Sequence, residues 1–120
     1  MSLFFMSAES GTAMAWRPAA DIYRTPEGWV IKMDLAGVRP EDINVIASGS
    51  QIFVSGARRD RFVGEGWSHY SMEITYSRFE RTIELPCSLE QAEIRVEYLD
   101  GLLLAHVIMD LEKEKWEKEK

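Results

Sequence analysis

Between Trp29 and Leu35 every second residue is apolar. Trp29, Ile31, Met33 and Leu35 fall on one side of an extended chain, Lys32 and Asp34 on the other. Successive side chains of a strand point to opposite faces, so this spacing describes a strand with one face buried and one in water. The same period returns where Phe79, Arg81, Ile83 and Leu85 alternate with Glu80, Thr82 and Glu84. It returns again where Ile94, Val96 and Tyr98 alternate with Arg95 and Glu97. Turn signals separate these runs: Thr25-Pro26-Glu27-Gly28, Ser48-Gly49-Ser50, the stop at Pro86, and Leu99-Asp100-Gly101. Such residues suit tight hairpins because they tolerate or preset the required backbone angles. With Ile22-Tyr23, Ile43–Ala47, Gln51–Gly56 and Leu102–Met109, the pattern predicts seven or eight short strands and no long helix. That is an all-β chain folded as an antiparallel β-sandwich.

Two stretches break the period. Asp34-Leu35-Ala36-Gly37-Val38-Arg39-Pro40 stops one strand and Ile43 starts the next. Gly37 relieves backbone strain and Pro40 keeps the corner out of any ladder, while Leu35, Val38 and Ile43 stay apolar. This combination predicts a chain crossing between sheets. Residues 57–77 are the least periodic, with Phe62, Trp67, Tyr70 and Tyr76 among three arginines and Gly64-Glu65-Gly66. A connection this long is unusual in a compact sandwich unless it folds or performs a task. Ser68–Met72 is the candidate for a short strand inside it. Leu102-Leu103-Leu104 predicts a last strand covered on both sides.

Chemistry is sparse. His69 and His106 are the only histidines and Cys87 the only cysteine, which rules out an internal disulfide and a cysteine-based zinc site. Cys87 reads as a small, partly buried thiol beside Pro86. No HExxH, paired CxxC or phosphate-cradling glycine loop occurs. Glu73, Glu80 and Glu84 read as a solvated strand face. His69 lacks the nucleophile and orienting partner of a general base, since Ser68 and Ser71 alone do not supply them. No catalytic residue, metal or cofactor is therefore expected, and the chain is not expected to be an enzyme. A net charge of −6 disfavours a nucleic-acid surface, and Ala57-Arg58-Arg59-Asp60-Arg61 reads as a solvated loop flank. No run approaches the length of a membrane span. The opening MSLFFMSAES lacks a cationic export signal, so the cytoplasm is the expected compartment.

The ends differ in kind. Residues 1–15 read as a short flexible arm carrying the apolar cluster Leu3, Phe4, Phe5 and Met6. Such a cluster either tucks onto its own domain or meets another subunit or a client chain. Residues 111–120 interleave glutamates with lysines and read as a soluble tail or a short helix.

Several segments, in order, carry a resemblance. They are Trp16–Tyr23, Asp34–Val45, Gln51–Gly56, Tyr76–Pro86 and Asp100-Gly101-Leu102-Leu103. Together they resemble a bacterial small heat shock protein of the alpha-crystallin (Hsp20) family over about residues 16–110. The resemblance implies an immunoglobulin-like sandwich, the alpha-crystallin domain, and an ATP-independent holdase that binds partly unfolded proteins under stress. It further implies a homodimer in which a loop of about residues 58–77 reaches across. A strand near Ser68–Glu73 then pairs with the partner's edge near Asp21–Arg24. On this basis the dimer interface comprises Asp21, Ile22, Tyr23, Trp67, Ser68, His69, Tyr70, Met72 and Arg81. Arg81 falls on the family's strand arginine, and its inward face asks for a carboxylate partner or an interface edge.

The client or arm-binding surface comprises Leu3, Phe4, Phe5, Met6 and Trp16 (with Met14 beside them). A groove lined by Ile43, Val45, Ile94, Val96, Leu102 and Leu104 adds to it. The family's C-terminal Ile/Val-x-Ile/Val pair is missing, because Met109-Asp110-Leu111 has the spacing but abuts the last strand. With a short arm as well, dimers rather than large shells are expected. Partners would be a second copy, unfolded clients and a paralogous small heat shock protein. Two other readings stay open: a capping or regulatory subunit that mixes with a longer small heat shock protein, and a CS-type co-chaperone adaptor.

Overall fold

A computed structural model describes residues 16–109, and within them seven strands pair into two antiparallel sheets. The strands are β1 (Ala20–Thr25), β2 (Gly28–Asp34), β3 (Ile43–Ser48), β4 (Gln51–Ala57), β5 (Arg78–Glu84), β6 (Glu93–Leu99) and β7 (Leu102–Ile108). One sheet runs β1-β2-β7-β6 and the other β3-β4-β5. The inner faces meet over Ile31, Met33, Leu35 and Val38, with Leu103, Ala105 and Val107 beside them. Ile52, Val54, Phe79, Ile83, Leu85 and Leu89 complete the core from the other side. Each large side chain removed from water there contributes about 1.5–3 kcal/mol before entropy is subtracted. The predicted alternation in 29–35 and 79–85 is the pattern that feeds this core.

The corner after β2 does carry the chain between sheets. Leu35 N–H donates to the Gly101 carbonyl at 2.8 Å and Val38 N–H to the Leu35 carbonyl at 3.0 Å. Gly37 takes φ +86°, where a Cβ is strained, and Pro40–Asp42 form a single 3-10 turn that delivers Ile43 to the second sheet. At the β1–β2 hairpin, Gly28 is required for space. A Cβ there would lie 2.1 Å from the Val107 carbonyl oxygen of the neighbouring strand.

Two expectations need correction. Ser68–Met72 forms no strand in the single chain, because its backbone meets no ladder partner among the described residues. A strand needs a neighbour to satisfy its N–H and C=O groups. The last strand is not covered on both sides. The Asp100-Gly101 turn, with φ +50° and +82°, pairs Leu99 with Leu102, which turns Leu103, Ala105 and Val107 inward. Leu102 and Leu104 consequently point to the open outer face of the four-stranded sheet.

Candidate functional site

The sandwich closes its core but leaves its edges open. β1 is an edge of the four-stranded sheet, and no strand covers its outer side among the described residues. Asp21, Ile22 and Tyr23 lie on it; Ile22 points toward the inner layer, opposite Ile31, yet is 47% exposed. Tyr23 lies beside Lys32, whose ammonium sits 4.8 Å from the ring centroid. Interaction with the Tyr23 side chain raises the Lys32 pKa above its usual value. An unpaired edge this exposed is a ready template for another strand.

The long connection between β4 and β5 supplies apolar surface. Trp67 is 69% exposed and Tyr70 fully so, and Phe62, Met72 and Ile74 are also exposed. Ser68 and His69 between them face solvent. Monomeric proteins seldom present so many large apolar groups along one segment without a binding role.

Arg81 occupies the inward position predicted for it, in the row Val45–Val54–Arg81 across the three-stranded sheet. Its Nη1 donates to the Pro18 carbonyl at 2.6 Å, while its buried Nε has no acceptor among the described residues. Burial, and then the nearby charge of Arg17, lower its pKa from the usual guanidinium value. The expected carboxylate is not supplied by the described residues: their ion pairs involve Arg39, Arg59, Arg95 and His106. A guanidinium left half satisfied beside an edge strand is suited to an acceptor from outside the subunit.

Of the four sheet edges, β1 and β5 lie on one side, and on the other β3 and β6 bound a seam lined by apolar residues. Ile43 and Val45 face inward opposite Gly56 and Val54, and Ile94 and Val96 face inward opposite Val107 and Ala105. Val96 points between the sheets yet is 47% exposed, so this seam is open. Leu102 and Leu104, expected in this groove, are not part of it; two-residue parity sends them to the other face of β7. Trp16, expected with the arm rather than in the groove, is part-buried. Its ring packs edge-on against Phe79 at 5.3 Å, at the β5 end of the sandwich. Leu3, Phe4, Phe5, Met6, Met14 and the tail 111–120 lie outside the described residues.

Two residues that the sequence reading passed over organise these surfaces. Tyr98 hydroxyl lies 2.7 Å from each of the carbonyls of Leu35 and Val38 and shares its one proton between them, tying the β6 edge to the corner. Burial raises its pKa above the usual phenol value. Its inward parity with Ile94 was visible; the carbonyls it meets were not. Arg58, read as part of a solvated flank, instead lies 3.6 Å above the Trp16 ring and bonds the Thr75 carbonyl at 2.9 Å. Polar chemistry elsewhere is thin. His106 Nε2 lies 2.7 Å from Glu97 on the outer sheet face, and His69 stands exposed in the connection. No group of three His, Cys, Asp or Glu side chains among the described residues converges as a metal site.

A sandwich with this strand order, a first strand open along its outer edge and an aromatic connection before β5 has the features of a known family. The model of the Hsp20/alpha crystallin family matches residues 21–120. The chain belongs to the Hsp20/alpha crystallin family. Small heat shock proteins are chaperones rather than enzymes. Spore protein SP21 of Stigmatella aurantiaca is 32% identical over 89 residues, covering 74% of this chain and 53% of that protein. The 17.7 kDa class II heat shock protein of Arabidopsis thaliana is 33% identical over 93 residues, covering 76% of this chain and 59% of that one. The chain thus spans a little over half the length of these curated relatives. Among solved structures, heat shock protein 16.0 from Schizosaccharomyces pombe superposes with a TM-score of 0.70 at 22% identity, covering 79% of this chain and 88% of that one. A small heat shock protein from Xylella fastidiosa gives 0.65 at 26% identity, covering 78% and 86%. No helix among the described residues is long and apolar enough to cross a membrane.

Proposed function

We propose that this small heat shock protein is an ATP-independent holdase that works as a loop-exchanged homodimer. The observation that supports the reading is the presence of two incomplete parts in one chain. One is the uncovered edge of β1; the other is the exposed segment of Trp67, Tyr70 and Met72, whose backbone has no ladder among the described residues. If each completes the other across two subunits, backbone groups and aromatic surface are satisfied at once. Arg81, with its unpartnered Nε, then acquires an acceptor from the partner chain.

Holding a client requires no bond chemistry. It requires apolar surface that an unfolded chain can cover and enough charge to keep the complex dispersed. The β3–β6 seam with Ile43, Val45, Ile94 and Val96 offers such surface, and the net charge of −6 provides the repulsion. The test is heat-induced aggregation of a model client with and without the protein, in the absence of ATP. Suppression by the protein alone is expected. A client that aggregates unchanged would instead favour the second reading, a capping subunit whose open seam accepts a segment of a longer small heat shock protein. The exposure of inward-pointing Val96 is the observation behind that alternative. A monomeric mass at every concentration would leave the adaptor type.

A further inference from the structure

Both ends of the 58–77 connection converge on one side chain. Arg58 begins the connection, and its N–H donates to the Ser77 carbonyl at 2.9 Å, closing the connection at its base. Its Nε donates to the Thr75 carbonyl at 2.9 Å and its Nη1 to the Ala36 carbonyl at 3.3 Å. Its guanidinium carbon lies 3.6 Å from the Trp16 ring centroid and 6.0 Å from that of Tyr76. Trp16 is held in turn: its N–H donates to Ser77 Oγ at 2.9 Å, and it bridges to Phe79 at the start of β5. One guanidinium therefore touches the chain entering the domain, the inter-sheet corner and both feet of the long connection. Arg59 adds a longer tie of 3.7 Å to Asp42 just beyond the corner, but that pair is exposed and adds little.

We propose that Arg58 is a positioning residue that clamps the take-off of the 58–77 connection and couples it to the chain upstream through the Trp16 stack. A planar fork meeting two carbonyls and an aromatic face suits this work, and a lysine point charge does not. Pulling Trp16 away removes one face of the guanidinium's support, so strain on residues 1–15 is felt at Thr75–Ser77. The consequence for assembly rests on the loop-exchange reading, because the clamp then sets the direction in which Ser68–Glu73 leaves the subunit. The clamp itself is a property of one chain.

The test is residue-resolved amide hydrogen exchange with backbone order parameters, on the full chain and on Arg58→Ala, Arg58→Lys and Trp16→Leu. In Arg58→Ala, protection at the Trp16 amide falls roughly two- to fivefold, the scale set by a solvent-accessible cation–aromatic contact. Order across 59–75 falls as well, while Ile31, Val54 and Ala105 keep their protection. Trp16→Leu lowers protection at the Arg58 amide in the reciprocal sense, and Arg58→Lys does not restore the native values. Should Arg58→Ala fail to fold, the lysine and leucine variants carry the comparison alone. Unchanged protection at the Arg58 amide in Trp16→Leu, or full rescue by lysine, overturns the proposal. None of these readouts depends on dimer formation, so a monomeric protein would sink the loop-exchange reading and leave the clamp standing.

Discussion

The strands of the sandwich and the connection between β4 and β5 are both rich in large apolar residues, and they dispose of them in opposite ways. Met33, Leu35, Ile52 and Val54 are wholly shielded, whereas Phe62, Trp67, Tyr70, Met72 and Ile74 stand in solvent. Composition does not separate the two regions; the availability of a partner within the chain does. Each core strand finds a neighbouring strand and a facing sheet in its own subunit, and the connection finds neither. Apolar residues left without a partner among the described residues stand exposed, which is what the proposed exchange with a second chain requires.

The sharpest contrast comes from truncating one residue of each kind. Ile52→Ala leaves a cavity in a sealed core and is expected to lower unfolding free energy by about 2–5 kcal/mol. Trp67→Ala is expected to change the stability of the isolated domain by under about 0.5 kcal/mol. Thermal or denaturant melts of dilute samples read both, and equal losses would erase the distinction drawn here. Next in size, Arg81→Ala should weaken self-association more than it disturbs the sheet, raising the dimer dissociation constant roughly thirtyfold or more, as an interface hot spot does. Sedimentation equilibrium set beside a melt separates the two effects, and matched losses would mark Arg81 as a residue of the fold alone. Tyr98→Phe removes only the hydroxyl that meets Leu35 and Val38, a loss of about 1 kcal/mol in domain stability. A larger effect on client binding than on melting would move Tyr98 into the seam's function.

The smallest effect is electrostatic. Hydrogen bonds from Ser50, and secondarily from Gln51, hold the Glu84 pKa below its usual carboxylate value. The unfolded chain then binds the proton more readily, so stability rises with pH through this window. Glu84 contributes fully above the ordinary carboxylate pKa of about 4.3, and its contribution fades as pH falls through the lowered folded value. Glu84→Gln should flatten the melting temperature against pH below about pH 5, with no change near neutrality.

Much of the sandwich was legible because a half-buried strand writes its orientation into every second residue. The corner at Gly37 and Pro40 and the inward aim of Arg81 follow from the same parity. The triple leucine at 102–104 hid that parity, since any register puts a leucine inside; only the two-residue Asp100-Gly101 turn selects Leu103. Arg58 was hidden for another reason. Its neighbours Arg59, Asp60 and Arg61 made it look like solvated charge, and its real partners come from residues 16, 36, 75 and 76. Contacts between segments that distant depend on the finished fold, and no local spacing announces them. The missing strand at 68–72 belongs to the same class, since the described residues offer that backbone no ladder partner.

The account turns on β1 and the 68–73 segment completing each other between subunits. Hydrogen exchange of residues 20–25 and 68–73, followed as protein concentration is raised, tests this directly. Both segments are expected to gain protection together, at the concentration where the mass doubles from 13.8 kDa. Segments that stay unprotected at every concentration, or protection of 68–73 in a dilute monomer, would contradict it.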